Sequence, residues 1–319
     1  MQLLRYVLRR VLETVPTTVG IVLVAFALFN VVGGSPAEAI LGKNATAESI
    51  EAFNRKWGYD KPLFIGRDDV FDSQFFRFVG DLCHGDFGYS VENDEPVIEV
   101  LKRGVGPSLS LTVPILVGCV ALGLMLAMVS ALYRGRAADR AVLVGSTVLM
   151  SVNYVIWVLA GQFFLSYKAG LFPVWGYKSA FYLVLPVMIG VMSSVGADVR
   201  FFRTAILDEL YRPYVLTARA KGLSRSAVML RHVLRNALIP ILAYVSLSIP
   251  SLFAGSLLLE SFFGIPGLGS VSINAIHSSD MAVVRTTVVL GALLYQFVNL
   301  ITDLLYGIID PRVRLAGGK

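Results

Sequence analysis

The residues best placed to do work lie in and beside a stretch bounded by two helix breakers. Tyr211, Tyr214, Thr217, Ala218, Arg219, Ala220, Lys221, Gly222 and Leu223 surround a short stretch that Pro213 opens and Gly222 closes. Tyr214 to Lys221 reads as one short helix, stopped by a glycine suited to the left-handed turn after a helix. Ser224 then caps a third helix leading to Pro240. A short basic helix held between breakers suits docking into a groove of another protein. The competing reading is a basic loop lying against anionic lipid headgroups. Neither is catalysis. His84, His232 and His277 are scattered over separate loops, and no clustered His/Cys set suggests a metal. No G-x-x-x-x-G-K-[ST] phosphate loop occurs, so the chain carries no ATP-hydrolysing machinery. Gly317-Gly318-Lys319 is not expected to serve as such a loop.

Such a helix must hang from something apolar. Of the 319 residues, 55% are hydrophobic and 16% charged, and the mean hydropathy is +0.69. One buried core cannot use that much apolar surface, so the excess must face lipid. The net charge of +6 first suggests nucleic acid. The arginines instead cluster between apolar runs, where they orient helices in a bilayer, and nucleic acid is not expected as a partner. Cys119 lies in an apolar run and Cys83 in a polar loop, so a disulfide between them is not expected. The N-terminal basic and apolar sequence lacks a small-residue cleavage site and reads as a retained signal-anchor helix.

A span needs ~20 apolar residues rising ~1.5 Å each. Six stretches qualify: 11–32, 108–133, 141–165, 181–197, 238–259 and 283–309. The fourth is short and holds Pro186, Gly190, Ser193, Ser194 and Gly196. Six crossings put both termini on one side. The arginines of the N-terminus, the 134–140 loop, the 200–236 loop and the tail then share one face, which the positive-inside rule makes cytoplasmic. The expected organisation is an all-α integral membrane protein with six transmembrane helices. Residues 1–32 form the first helix, 33–107 an external subdomain between helices 1 and 2, and 108–319 a core carrying the cytoplasmic loop 200–236. Within the subdomain, Thr46 to Trp57 reads as a short helix capped by Thr46 and stopped by Gly58.

Thr217-Ala218-Arg219-Ala220-Lys221-Gly222-Leu223, followed by Arg231-His232-Val233-Leu234-Arg235-Asn236-Ala237-Leu238-Ile239-Pro240, resembles the signature loop of ABC importer permeases, in the dipeptide, oligopeptide and nickel subgroup. Tyr6 to Pro16, Ser35-Pro36-Ala37, Asp60-Lys61-Pro62-Leu63, Gly85-Asp86-Phe87-Gly88 and Pro96-Val97 match in order. So do Leu171-Phe172-Pro173-Val174-Trp175-Gly176-Tyr177, Leu185-Pro186, Pro266-Gly267-Leu268-Gly269 and Asp310-Pro311-Arg312. The acidic residue that opens the general family signature is absent, since Leu216-Thr217-Ala218 stands there.

The resemblance implies a type I ABC importer permease fold in a bacterial or archaeal cytoplasmic membrane. It implies a transport subunit, not an enzyme, working with a second homologous permease, two ATPase domains and an extracytoplasmic solute-binding protein. No cofactor is expected on this chain; ATP and Mg belong to the partner ATPase. Peptide, nickel, glutathione and opine importers share the motifs, and di- or oligopeptides are the expected solute. The alternatives are a secondary transporter, for which no inverted repeat is found, and an intramembrane protease, which would need histidines or paired aspartates within the spans.

Ala292, Gln296, Asn299 and Asp303 recur on one face of the sixth helix, and Tyr244, Ser248, Ser251 and Gly255 form a similar stripe on the fifth. Tyr244, Ser248, Ser251, Gln296 and Asn299 are expected to line the pathway. Asp303 reads as an interhelical or interfacial anchor. Ala218 and Ala220 are expected to pack against the ATPase. Glu260 and Arg285 read as exposed interface charges, with mutual pairing or contact with the solute's charges as the alternatives. Glu13 reads as the helical partner of Arg9 and Arg10.

Overall fold

The computed structural model of the chain describes residues 2–32, 37, 41–42, 45–66, 71–90, 92–249 and 256–309. Ser35-Pro36, Ser251, Gly255 and Asp310-Pro311-Arg312 lie outside them. Apolar runs broken by caps and prolines set the elements. α1 is Gln2–Phe26, prolonged by a wider π turn, Ala27–Val32. Its threonines do not oppose the apolar setting: Thr14 and Thr18 donate to the carbonyls of Arg10 and Thr14, one turn back. Glu13 pairs with Arg9 at 2.8 Å and Arg10 at 3.3 Å, as helical spacing predicts.

Two short helices follow. α2 (Ala47–Trp57) starts where the Thr46 hydroxyl accepts from the Ser49 amide, and ends at left-handed Gly58. α3 (Gln74–His84) is capped by Ser73. The end of α1 is seated against this subdomain, with Phe26 fully buried and its ring centroid 5.3 Å from those of Phe64 and Phe75. β1 (Tyr89–Ser90) and β2 (Glu95–Pro96) form an antiparallel pair.

α4 (Val97–Leu132) and α7 (Phe181–Leu210) pack along each other and form the spine of the molecule. α5 (Ala137–Ser151) and α6 (Tyr154–Lys168) lie between them in sequence. α8 (Pro213–Ala220) joins α7 to α9 (Arg225–Ser246). α10 (Leu257–Phe263), α11 (Leu268–His277) and the long α12 (Met281–Ile309) complete the chain. α12 packs along α1. Among the described residues, five helices are long and apolar enough to cross a bilayer: α1, α4, α7, α9 and α12.

The expected bounds of four spans need correction. The third span is not one helix. α5 and α6 meet at 91°, because Val152 is extended and the Asn153 side chain accepts from the Val155 amide at 2.9 Å, starting a new helix. Six crossings follow only if that bent pair makes one of them. The fifth helix ends at Ser246, and Leu257–Leu259 belong instead to α10, which meets α11 at 79°. The second and fourth are longer than expected. α4 begins at Val97, so the expected boundary at 107/108 falls inside a helix. α7 runs through Pro186 and its glycines to Leu210. Gly196 is a contact rather than a break: a Cβ there would stand 2.7 Å from the Ser146 carbonyl oxygen on α5.

Three apolar clusters hold the bundle. One joins Ala127, Phe202, Ile206, Val215, Ala218, Met229 and Ile241 near the arginine-rich end. A second joins Leu111, Val158, Leu185, Leu259 and Ile265. The third sets Val97 and Leu101 against Ala275 and Val283.

Candidate functional site

α8 is the short helix expected between Pro213 and Gly222. Pro213 occupies its first turn, where a missing N–H costs no hydrogen bond. Lys221 ends it, and Gly222 takes φ +83°, the left-handed conformation that a side chain would strain. Ser224 caps α9 through the Ala227 amide at 3.3 Å.

The helix has an inner and an outer face. Val215 is 1% and Ala218 6% exposed, both in the cluster with Phe202 and Ile206. Leu216 is 66% exposed, and Tyr211, Thr217, Arg219, Ala220, Lys221 and Leu223 are also open. This corrects the reading of Ala218: it packs on the chain's own core and is closed to a partner, whereas Ala220 is accessible. Arg219 and Lys221 form no ion pair with a described residue, so both charges are free for one.

Polar contacts fix how α8 leaves α7. The Tyr214 hydroxyl donates to Glu209 Oε2 at 2.7 Å and also hydrogen-bonds Asn236 on α9. Burial pushes the Tyr214 hydroxyl above the ordinary phenol value; the Asn236 bond opposes this, and the Glu209 bond and charge add to it. The hydroxyl therefore stays a donor at neutral pH. Arg212 lies 3.7 Å from Glu209, and the Arg134 guanidinium sits over the Tyr211 ring at 5.1 Å.

The residues expected along a pathway that are described lie on α9 and α12, or just past the end of α9, and those two helices touch. Tyr244 is stacked on Phe201 at 4.2 Å and hydrogen-bonds Asp198, both on α7. Asp198 thus lies within the long apolar helix α7 and was missed because that helix was expected to stop at residue 197. Ser248 is half-buried beyond the end of α9, and Ser251 lies outside the described residues. Gln296 and Asn299 are half-buried on α12 and hydrogen-bond no described residue. Asp303, on the same helix, reaches α1 instead: Arg10 is 3.4 Å from its carboxylate, and the Tyr6 hydroxyl donates to its carbonyl at 2.8 Å.

Glu260 and Arg285 are neither exposed interface charges alike nor a pair. Glu260 is 0% exposed. Its Oε1 accepts from Ser108 Oγ at 2.8 Å and the Ser256 amide at 3.0 Å. Its Oε2 accepts from the amides of Gly269 at 2.7 Å and Ser270 at 3.1 Å, at the start of α11. Ser108 Oγ in turn accepts from the Leu268 amide at 2.8 Å. The carboxylate therefore satisfies unpaired N–H groups at a helix start, where negative charge is favoured. This explains the glycines of Pro266-Gly267-Leu268-Gly269: a Cβ on Gly267 or Gly269 would come within 2.4 Å or 2.8 Å of Glu260 Oε2. Arg285 instead lies over the Phe78 ring at 5.7 Å. Asp280, also missed, is buried and accepts from Ser90 Oγ at 2.6 Å, tying β1 to the start of α12. An acid a few residues before a glycine pair is the one sequence signal that points to the Glu260 site.

Residues 120–315 match the family described as the binding-protein-dependent transport system inner membrane component. Residues 3–112 match the N-terminal part of such membrane components. The chain is 32% identical over 313 residues to the glutathione transport system permease protein GsiC of Salmonella paratyphi A, covering 98% of this chain and 99% of that one. It is 31% identical to the proteins of the same name from Shigella flexneri serotype 5b, over 316 residues, and Escherichia coli strain K12, over 313. Coverage is again 98% of this chain and 99% of each relative. The helical fold, the several apolar spans and these matches over nearly its whole length place the chain in the peptide, nickel and glutathione family of ABC importer permeases, as a multi-pass membrane transport subunit that is not itself an enzyme.

Proposed function

We propose that this permease carries short peptides, with glutathione-like tripeptides among them, and forms half of a pathway completed by a second homologous permease. The family is binding-protein-dependent, which calls for a separate ATPase and a solute-binding protein. In our reading two ATPase domains dock on α8 and its counterpart, and ATP and Mg²⁺ are held there, not on this chain. The arginine-rich end faces the cytoplasm and the 33–107 region faces outward, where the binding protein delivers solute. ATP binding closes the inner face and hydrolysis reopens it.

One observation carries the coupling role. α8 is clamped on its inner face by Val215 and Ala218 and leaves Leu216, Arg219 and Ala220 open between them and a partner. A lipid-facing basic loop has no need of that anchored core. The peptide solute is supported by relatives named for transport of glutathione, itself a tripeptide.

The test is reconstitution of the full importer in proteoliposomes with labelled dipeptide, tripeptide and Ni²⁺. ATP-dependent uptake of the peptides, each competing with the others, is expected. Uptake of Ni²⁺ alone overturns the solute class. Uptake by this subunit alone, without ATPase or second permease, overturns the half-pathway reading.

A further inference from the structure

Among the described ion pairs, one is withdrawn from water. The Asp139 side chain is 6% and the Arg203 side chain 18% exposed. Arg203 Nη2 meets Asp139 Oδ2 at 3.0 Å and its Nε meets Oδ1 at 3.0 Å, a two-toothed grip that only a guanidinium can make. The Gly135 amide donates to Oδ2 at 2.9 Å. Ser130 Oγ accepts from Arg203 Nε at 2.7 Å and donates to Asp139 Oδ1. Three helices thereby meet at one point: Ser130 on α4, Asp139 in the first turn of α5, and Arg203 on α7.

Burying such a pair is a poor way to gain stability, because desolvation offsets most of the attraction. What it supplies is direction. Its position gives that direction a use. Phe202, Ala205 and Ile206, flanking Arg203 on α7, pack in one cluster with Val215 and Ala218 of α8. On the other side, α5 turns into α6, where Gln162 Nε2 donates to the Phe262 carbonyl of α10 at 2.9 Å, next to the Glu260 site. The α7 cluster thus links the ion pair to α8, and the chain itself, along α5 and α6, links it to the opposite end of the bundle.

We propose that Asp139, Arg203 and Ser130 form a clamp that makes α4, α5 and α7 move as one body when the ATPase moves α8. Asp139 and Arg203 are then positioning residues for transport: they touch no solute but set how much helix movement each ATP produces. The proposal rests on the reading of α8 as the ATPase contact.

The experiment uses the assembled importer in nanodiscs, spin-labelled at Arg140→Cys on α5 and Thr204→Cys on α7, both exposed positions, with Cys83 and Cys119 replaced by serine. The clamp predicts one narrow label-to-label distance, the same without nucleotide and with ATP bound. In Asp139→Asn or Arg203→Gln the distance should broaden and change on ATP binding, and solute moved per ATP should fall at least fivefold while basal hydrolysis stays within twofold. Arg203→Lys keeps the charge but loses the fork, so it should behave like Arg203→Gln. The double variant should be no worse than either single one, because the pair acts as a unit.

A distance that already changes with ATP in the unsubstituted clamp overturns the proposal, and that result does not depend on any clamp variant assembling. Asp139→Asn with an unchanged distance and normal solute per ATP overturns it too. Leu216→Asp separates the two readings. If it leaves the ATPase bound, the α8 contact is wrong, whereas a constant distance between α5 and α7 still supports the clamp.

Discussion

The Glu260 carboxylate lies 2.7 Å from the Gly269 amide nitrogen, across a turn that brings α11 back onto α10. Four hydrogen bonds end on that one side chain, three of them from backbone amides. A buried charge held this way keeps its place because every lone pair in use has a donor.

The first prediction follows from that geometry. Glu260→Gln keeps the shape but turns an NH₂ group toward donors. Hydrogen bonds to a charged group contribute about 1.5–3 kcal/mol each, and at least one is lost outright. Thermal unfolding of the purified protein in nanodiscs should therefore shift down for Glu260→Gln and further for Glu260→Ala. Ser270→Ala, which keeps its amide, should cost much less. An unchanged midpoint for Glu260→Gln would show that the carboxylate's charge is irrelevant to the turn.

How much of this was legible beforehand depended on range. Local signals held: Thr46 and Gly58 bound α2, Ser224 caps α9, and Gly222 is left-handed. Each rests on a few neighbouring residues and elementary backbone sterics. The failures needed partners distant in sequence. The expected span 141–165 ran straight through Asn153, whose side chain caps α6. Glu260 at the edge of a span reads as exposed until Ser108, 152 residues away, is placed against it. Ala218 matched the family signature, but the matching motif does not say which face of an eight-residue helix is turned inward.

The second prediction concerns orientation. Cys83, at the end of α3, is exposed, and Cys119 is buried. The native thiol is therefore its own reporter for the 33–107 region. A membrane-impermeant maleimide should label the unmodified protein in spheroplasts before lysis, and Cys83→Ser should abolish the signal. Labelling that requires lysis would put this region in the cytoplasm and invert the topology.

Tyr214 yields the third. Its raised titration means that the neutral hydroxyl is favoured in the folded state. Whatever stability the group adds is fully present below the ordinary phenol value of about 10 and is lost as pH rises through the higher folded value. Tyr214→Phe should thus cost about 0.5–1.5 kcal/mol, by the same amount at pH 6 and pH 8. A cost that changes between those two values would mean another titrating group governs the contact.

The last prediction separates the two faces of α8. Leu216 stands out from the surface, and no described residue covers it. Leu216→Asp should leave the permease folded and inserted, because no described packing depends on the side chain, but should weaken retention of the ATPase on affinity capture of the permease. Ala218 faces inward, so Ala218→Val should act through the permease alone. Overpacking a filled site costs about 1–3 kcal/mol, and the readout is a lower unfolding midpoint of the isolated subunit. Gly222→Val tests the exit from the helix. A Cβ there meets open space, so the penalty is purely backbone strain, about 1–2 kcal/mol for the left-handed conformation. Relieving that strain redirects α9 and with it the outer face of α8. The expected signature is solute that no longer stimulates ATP hydrolysis in a complex that still assembles. Measured together, the three variants should give lost assembly, lost stability and lost coupling in turn. If Leu216→Asp keeps the ATPase bound and Gly222→Val keeps normal stimulation, α8 does not transmit the motor's movement, and the basic segment is better explained by contact with lipid headgroups.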